Sequence, residues 1–206
     1  MELIFATQND HKRFEMASLC IPHAIVMPSE LGVTFSFEET EETFTGNALG
    51  KADHLFTLTR RATIADDSGI VIDALGGAPG IYSARYGSDI YGRALSAPEK
   101  NQLVLEQLQG VPRQERSARF VCALVLVLSP YRKFVVQETV EGFIAEKPYG
   151  DGGFGYDPIF LVGETGKTMA EYTEHEKNAI SHRALAARRI LALIQQIEHT
   201  EVMHVS

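Results

Sequence analysis

Short apolar runs recur along the chain and predict the strands of a sheet. The predicted strands cover residues 3–6, 24–27, 62–65, 70–72, 118–128, 133–145 and 159–162. Asp66 ends the third strand, and Ser68-Gly69 predicts a tight turn before the fourth. A turn at Ser129-Pro130 is expected to join the two longest strands.

Apolar positions at three- and four-residue steps predict the helices. The predicted helices cover a short stretch after Lys12 and residues 40–60, 98–108 and 176–197. In the predicted helix 40–60, Thr43, Asn47 and Lys51 line a stripe that is separate from the apolar one. Helices and strands do not alternate strictly, so the pattern predicts an α/β fold with a mixed sheet rather than a doubly wound one.

The composition indicates one substantial core, since 45% of the 206 residues are hydrophobic. We expect a single domain over 1–206, folded as two lobes. The longest apolar run, 120–128, is far shorter than the ~20 residues of a membrane helix. The first residues lack the basic and apolar regions of a signal peptide, so a cytoplasmic protein is expected.

The charge balance constrains the partners. The formal net charge is −8, from 19 basic and 27 acidic side chains, which argues against nucleic acid or an anionic membrane as a partner. A phosphate ligand remains compatible, because a bound divalent cation reverses the local sign of charge. The two cysteines, Cys20 and Cys122, are not expected to form a disulfide.

The first polar segment, Thr7 to Lys12, leaves a strand and opens a helix. Free N–H groups at a helix start favour anions, and Lys12 adds a positive charge, so the segment is a candidate phosphate turn. An ordinary strand-to-helix turn with a capping Asn or Asp explains the same residues. The glycines and the Gly-Lys-Ser/Thr ending of a P-loop are missing.

Two groups of acidic residues are candidate cation ligands. Asp66 and Asp67 follow a buried strand, where Mg2+ would offset the cost of enclosing two carboxylates. A solvated Asp-Ser-Gly turn is the alternative. Glu38 and Glu39, with two further acids at 41 and 42, could supply a second carboxylate, or could simply suit the dipole at the start of the long helix. Lys51, farther along that helix, could reach a phosphate.

Two later segments could bind a base. Gly152 to Pro158 places Phe154 and Tyr156 among glycines, which let backbone approach a ligand while an aromatic face stacks on a purine. A glycine loop whose aromatics fill the core is the alternative. Glu176 to Arg183 opens the predicted closing helix with Lys177, His182 and Arg183, which oppose its dipole and cannot all be core residues. This conflict indicates an anion or a base nearby, and a solvated helix face is the alternative.

Together these segments resemble the inosine triphosphate pyrophosphatase family, also called the Ham-type non-standard purine triphosphate pyrophosphatases. The resemblance runs over roughly residues 3–188. Its most specific motifs are Ala65 to Gly69 (ADDSG), Ala74 to Tyr86 (ALGGAPGIYSARY), Gly152 to Phe160 (GGFGYDPIF) and Glu176 to Arg183 (EKNAISHR). One such motif could arise by chance, but all four in this order could hardly do so.

The resemblance implies an elongated mixed sheet flanked by helices, in two lobes with a deep central cleft. It implies a homodimer that uses Mg2+ to hydrolyse ITP, dITP and XTP to the monophosphate and diphosphate, which would cleanse the nucleotide pool. A nucleoside triphosphate would be its partner, with neither nucleic acid nor membrane involved.

The resemblance also assigns roles to residues. Asp67 would be the general base, and Mg2+ would be held by Asp67, Asp66 and Glu38 or Glu39. Substrate would be bound by Thr7, Gln8, Asn9, Asp10, His11, Lys12, Lys51, Ser68, Phe154, Gly155, Tyr156, Asp157, Lys177, His182 and Arg183. Within this set, Phe154 would stack on the base, while Lys177, His182 and Arg183 would read its edge.

The chain departs from the family pattern at three positions. Family members usually have Gly where Gln8 stands, often Gly where Glu41 stands, and often Glu where Gly46 stands. Gln8 could narrow the phosphate turn, and Gly46 should weaken its helix by ~1 kcal/mol relative to Ala. These changes affect affinity and metal geometry rather than the reaction class.

Two other functions fit parts of the pattern. A non-catalytic nucleotide-binding module would keep the lysines and aromatics without needing Asp67. A Maf-type pyrophosphatase, acting on modified pyrimidine triphosphates, would share the phosphate turn but is not expected to contain Glu176 to Arg183 (EKNAISHR). Release of diphosphate separates the first of these from an enzyme.

Overall fold

The computed structural model describes residues 1–203, which form a six-stranded sheet and six α-helices. The strands are β1 Glu2–Phe5, β2 Ala24–Val26, β3 Thr63–Ile72, β4 Ser117–Ser129, β5 Arg132–Ile144 and β6 Phe160–Val162. The helices are α1 Asp10–Leu19, α2 Phe44–Thr59, α3 Ser88–Tyr91, α4 Ala97–Gln107, α5 Glu174–Ile180 and α6 His182–Met203. No helix within 1–203 is long and apolar enough to cross a membrane.

The sheet is mixed, in the order β2-β1-β3-β4-β5-β6. Strand β1 runs parallel to both of its neighbours, with Ile4 opposite Val26 on one side and Thr63 on the other. At the far edge β5 and β6 are antiparallel, with Phe143 opposite Leu161. The predicted α/β class with a mixed sheet is therefore confirmed.

The chain forms two compact units. Within the described residues, unit 1 comprises 1–67, 122–138 and 183–203, and unit 2 comprises 68–121 and 139–182. The prediction that two lobes of one domain enclose a deep central cleft stays a prediction.

Unit 1 has an apolar layer on each face of its strands, because successive strand residues point to opposite faces. Leu3 and Phe5 pack with α1 and α6, through residues such as Met16 and Ile190. The intervening Ile4 and the next inward residue, Ala6, pack with Ala48, Ala52 and Leu55 of α2. Cys20 and Cys122 are buried thiols, and burial raises the pKa of each to about 12.

Unit 2 has its own core around the other halves of the long strands. Ile70 and Ile72 of β3 pack with Phe120, Ile144 and Phe160. Helix α4 closes this core with Val104 and Leu108 next to its end. The core also contains Tyr156, from the glycine-rich segment, so part of that segment has a packing role.

The predicted turn at Ser68-Gly69 is wrong, because β3 continues unbroken through both residues. Gly69 is instead a point of close packing. A Cβ placed there would lie 2.5 Å from the carbonyl oxygen of Gly80 and would also overlap the Ser83 hydroxyl. That hydroxyl accepts a hydrogen bond from the Ile70 N–H at 2.9 Å. A glycine that lets another segment approach was therefore misread as a turn former.

Helix α2 begins at Phe44 rather than at residue 40, because the Thr43 hydroxyl caps it by accepting from the Gly46 N–H. The prediction that the acids at 38–42 start this helix is wrong, since they precede it. The space at Gly46 also changes its interpretation: a Cβ there would lie 2.8 Å from Glu41 Cβ. Gly46 lowers the helix propensity of α2, but its missing side chain also lets the segment at Glu41 approach the helix closely.

The predicted closing helix is two helices, α5 and α6, separated at Ser181. Ser181 is extended, with φ −70° and ψ 152°, which no helical turn permits. The cationic residues therefore do not share one helix start. Lys177 lies in the last turn of α5, where a positive charge suits the dipole, and Arg183 lies in the first turn of α6.

Gly69→Ala should lower the free energy of unfolding by about 3 kcal/mol, because the methyl group meets backbone that cannot move aside. Gly92→Ala is the control: a Cβ there meets no neighbour, and its φ of 64° should cost about 1 kcal/mol. Urea unfolding of both variants measures the difference. Equal stabilities would contradict the close packing at Gly69.

Candidate functional site

The predicted phosphate turn lies between β1 and α1 and is an ordered helix cap. Asn9 precedes α1, and its side-chain oxygen accepts from the Lys12 N–H at 3.2 Å. The Thr7 hydroxyl accepts from the Asn9 N–H at 3.2 Å. Asp10 and His11 are exposed in the first turn. The capping interpretation is therefore correct. The turn also presents the N-terminus of a ten-residue helix, which favours an anion.

Asp66 lies at the centre of a buried cluster of charges on one face of β3. Its Oδ2 accepts from Arg183 Nη2 at 2.9 Å and from Nε at 3.2 Å, and Lys12 Nζ lies 3.0 Å away. Arg183 also donates to Glu15. Arg183 and Asp66 are each 1% exposed, so two cations and two carboxylates balance inside the protein.

These cations decide the protonation of Asp66. Burial by itself would raise the pKa of this carboxyl group, but Lys12, Arg183 and Lys51 outweigh that cost. The pKa of Asp66 is therefore held well below its ordinary value. Asp66 stays ionised at every physiological pH and cannot exchange a proton with a substrate.

Asp67 points to the opposite face of β3, toward α2, as strand alternation requires. Its Oδ2 accepts from Asn47 Nδ2 at 3.1 Å, and its Oδ1 lies 3.9 Å from Lys51 Nζ. Lys51 Nζ also donates to Glu39 Oε1 at 2.6 Å. The ammonium group of Lys51 is therefore shared by two carboxylates.

The pKa of Asp67 moves in the opposite direction from that of Asp66. Burial raises it, and the nearby charge of Glu39 adds to the increase. Lys51, Lys12 and the hydrogen bond from Asn47 oppose the increase without cancelling it. Asp67 is therefore the member of the pair that can take up a proton more readily than an ordinary aspartate.

Strand-like alternation before α2 distinguishes Glu39 from Glu38. Phe35 is buried, Phe37 and Glu39 are partly buried, and the residues between them are exposed. Glu38 is exposed, whereas Glu39 faces Lys51. Of the two glutamates predicted as metal ligands, Glu39 is the one directed at the Asp67 side of the sheet.

The donor chemistry fits a hard divalent cation. Glu39 and Asp67 each contact Lys51 and supply carboxylate oxygens, which are the ligands that Mg2+ prefers. Within residues 1–203, no group of three His, Cys, Asp or Glu side chains is close enough to form a complete protein site. One or two carboxylates are the usual protein share of a Mg2+ site that also uses water and phosphate oxygens.

In unit 2, the glycine-rich segment is organised around Asp157. One carboxylate oxygen of Asp157 accepts from the Phe154 N–H at 2.8 Å and from Lys177 Nζ at 2.7 Å. The same ammonium lies 4.6 Å from the centre of the Phe154 ring. Gly153 has φ of 69°, and a Cβ there would lie 2.9 Å from the carboxyl carbon of Asp157. The turn thus holds a half-buried aromatic face beside a fixed cation.

Behind this turn, side chains hold the backbone of the same segment. The Tyr156 hydroxyl donates to the Ser83 carbonyl at 2.9 Å, and Tyr156 is buried. Asn101 Nδ2 donates to the Gly155 carbonyl at 3.1 Å from α4. Tyr156 is therefore a support for the segment, as its alternative interpretation as a core aromatic predicts.

Three residues of the last motif, Lys177, His182 and Arg183, are all buried, which contradicts the expectation that they could not all be core residues. Lys177 and His182 are each 7% exposed, and Arg183 is 1% exposed. His182 stacks on Phe120 with ring centres 4.7 Å apart and planes 13° apart. Burial is possible because Lys177 and Arg183 each face a carboxylate and His182 faces an aromatic ring, which sequence spacing alone does not reveal.

The structure groups the predicted site residues into two sets. In unit 1 it brings together Lys12, Lys51, Asp66 and Asp67, with Arg183 joined to them through Asp66. In unit 2 it brings together Phe154, Asp157 and Lys177. Ser68 is half-buried on β3, Gly155 is held by Asn101, and Gln8 donates to the carbonyl of Phe35.

Three residues with direct contacts in these sets were not assigned roles from sequence. Asn47 donates to Asp67 and accepts from the Glu41 N–H, Glu15 pairs with Arg183, and Asn101 holds Gly155. Asn47 lies four residues before Lys51, and Glu15 three after Lys12, so helical spacing was a usable signal for both. No comparable spacing marks Asn101.

Comparison with known proteins gives a consistent result. The family model described as "Ham1 family" matches residues 3–193. A dITP/XTP pyrophosphatase from Treponema denticola is 48% identical over 195 residues, covering 95% of this chain and 99% of that protein. A dITP/XTP pyrophosphatase from Bacillus subtilis is 43% identical, covering 94% and 97%.

The fold is similar to that of solved structures. A HAM1 protein from Coxiella burnetii superposes with a TM-score of 0.84 at 38% identity, covering 95% of this chain and 99% of that one.

Arg183→Met should lower the free energy of unfolding by about 3–5 kcal/mol, because it leaves the buried carboxylates of Asp66 and Glu15 without their shared partner. Arg189→Met on the same helix is the matched control. Arg189 is 71% exposed and pairs with Glu138, so its loss should cost less than about 1 kcal/mol. Similar urea midpoints for the two variants would show that the buried cluster contributes no more than a surface ion pair.

Proposed function

The chain belongs to the Ham1 family, and on that basis we propose that it hydrolyses non-standard purine nucleoside triphosphates, dITP, XTP and ITP, to the nucleoside monophosphate and diphosphate. The relatives named above are dITP/XTP pyrophosphatases, which supports both the reaction and the substrate class. Those names do not favour a Maf-type enzyme acting on pyrimidines. A cytoplasmic location and a homodimer stay predictions.

The arrangement of Glu39, Lys51 and Asp67 is the observation that carries the proposal. A buried carboxylate with a raised pKa lies beside a lysine and a second carboxylate. A non-catalytic nucleotide-binding module needs no proton acceptor beside its lysine and its second carboxylate. A hydrolase uses such a group as a base.

Glu39 and Asp67 would hold Mg2+, and the bound cation would lower the pKa of Asp67 from its raised metal-free value, so that Asp67 would be a modest base. The chemistry that this ion would supply is neutralisation of phosphate charge and a lower pKa for a bound water. Exposed Glu38 and ion-paired Asp66 are less suited as ligands. We propose that Asp66 instead fixes Lys12, whose ammonium group has three donors and can contact Asp66 and a phosphate at once.

The reaction proposed for these residues is attack of water on the α-phosphorus. The water oxygen bonds to phosphorus, the bond from phosphorus to the diphosphate oxygen breaks, and a water proton passes to Asp67. Asn47 orients the Asp67 carboxylate through its hydrogen bond to Oδ2. Lys12 and Lys51 stabilise charge that develops on phosphate oxygens, which is the main contribution expected of a phosphoryl-transfer site.

Base recognition is proposed for the Phe154 turn of unit 2. Phe154 offers a face for stacking, and Lys177 offers a donor that Asp157 holds in place. A donor of this kind pairs with the 6-oxo group of hypoxanthine or xanthine and is left unpaired by the amino group of adenine. Guanine shares the 6-oxo group, so its rejection requires a contact at the 2-amino group.

The buried position of Arg183 suggests a different role from the one that the resemblance assigns. Its Nε and Nη2 both donate to Asp66, and its Nη1 donates to Glu15. We propose that Arg183 keeps Asp66 ionised and in place, so that it acts on the phosphate side through Lys12. Its contact with the base edge stays a prediction.

A panel assay tests the activity. The purified protein is incubated with dITP, XTP, ITP, GTP and ATP, with and without Mg2+, and diphosphate is converted by inorganic pyrophosphatase to phosphate for colorimetric detection. Diphosphate should be released from the first three substrates at least ~100-fold faster than from ATP, in a Mg2+-dependent way. Equal rates across the panel would contradict the selectivity, and no release from any substrate would contradict the enzyme.

Asp67→Asn should lower kcat for dITP by at least ~100-fold, because the amide cannot accept the water proton. The variant should unfold at the same urea concentration as the wild type or a higher one, since it removes a buried negative charge. Asp53→Asn, at an exposed carboxylate paired with Lys133, is the control and should retain activity. Near-normal turnover in Asp67→Asn would remove Asp67 from its proposed role.

A further inference from the structure

The side chain of Gln8 spans the gap between the phosphate turn and the segment that precedes α2. Its Nε2 donates to the carbonyl oxygen of Phe35 at 2.7 Å, across 27 residues of sequence. Gln8 is exposed, whereas Phe35 is buried. The amide donor that could have faced a phosphate is therefore engaged with backbone.

The Phe35 end of this hydrogen bond belongs to the segment that carries Glu39. The Phe35 ring lies 5.8 Å from that of His54, and Phe37 packs so closely on α2 that a Cβ at Gly50 would lie 2.6 Å from its ring. Glu39 follows on the same face and reaches Lys51. Alternate residues of this segment thus contact α2, and only four positions separate Phe35 from Glu39, so a shift of the backbone at Phe35 is expected to move Glu39 as well.

Phe35 packs in the core with Ala48 and Ala52, but it also borders an open space. A cavity of about 480 Å3 lies here, lined by both Gln8 and Phe35 and also by Thr7, Met27, Val33 and Thr34. Side chains that border a cavity have few atoms in contact on that side, so their packing only weakly fixes the distance between the phosphate turn and Phe35. The hydrogen bond from Gln8 to the Phe35 carbonyl fixes this distance better, because it is directional.

We propose that Gln8 is a positioning residue for the cation site: by holding Phe35, it fixes the distance between the phosphate turn and the carboxylate of Glu39. The inference rests on the proposed function, since it assumes that Glu39 and Asp67 bind a divalent cation. It replaces the substrate contact that the resemblance assigns to Gln8. It also gives the departure from glycine at this position a structural consequence.

Two variants separate the hydrogen bond from the volume of the side chain. Gln8→Leu keeps nearly the same size and removes the donor, and Gln8→Ala removes both. Gln102→Ala is the matched control, because Gln102 is an exposed glutamine that donates to Glu106 within α4. For each protein without nucleotide, Mn2+ binding is titrated by the electron paramagnetic resonance signal of the free ion. The Mg2+ concentration for half-maximal diphosphate release from dITP is measured in parallel.

The dissociation constant for Mn2+ should rise at least three-fold in both Gln8 variants, with the half-activating Mg2+ concentration rising in proportion, while Gln102→Ala matches the wild type. Unchanged Mn2+ affinity in both variants would overturn the inference, and so would a change in Gln8→Ala alone, which would indicate packing. Absence of Mn2+ binding by the wild type would overturn it as well. Failure of the wild type to release diphosphate would instead contradict the proposed function.

Discussion

Two neighbouring carboxylates on one buried strand must each find a positive partner on a different face of the sheet. Asp66 and Asp67 are adjacent on β3, so alternation sends them to opposite sides. Isolated carboxylates would not remain charged in these positions. The helices on the two faces supply what each needs: Lys12 and Arg183 for Asp66, and Lys51 with Asn47 for Asp67.

The unequal supply of positive charge divides the roles of the pair. Asp66 faces two cations at 3.0 Å or less, and its pKa is lowered, whereas Asp67 lies 3.9 Å from a lysine that it shares with Glu39, and its pKa is raised. Environments that move two pKa values apart are typical of acid–base sites. The first carboxylate organises cations, and the second can accept a proton. Gln8 extends this arrangement to the segment before α2.

Much of this could be predicted from sequence, and the failures have specific physical causes. Periodicity located most of the strands and helices, although it divided β3 into two strands and joined α5 to α6. The polar segments drew attention to Asp67, Lys12 and Lys51, which the structure brings together. Gly69 was misread as a turn because sequence does not reveal the close approach of Ser83. For that reason the alternation of Asp66 and Asp67 across the sheet was missed. Burial of Arg183 was unexpected because its partner Glu15 lies 168 residues away.

The opposite pKa shifts of Asp66 and Asp67 are the central claim, and carbon-13 NMR of the aspartate carboxyl groups tests it most directly. The protein, without divalent cations, is titrated from neutral pH downward, with the two resonances assigned from Asp66→Asn and Asp67→Asn. The Asp67 carboxyl should titrate above the ordinary aspartate value of about 3.9, and the Asp66 resonance should not move until well below it. Two resonances that titrate together, or in the reverse order, would contradict the account.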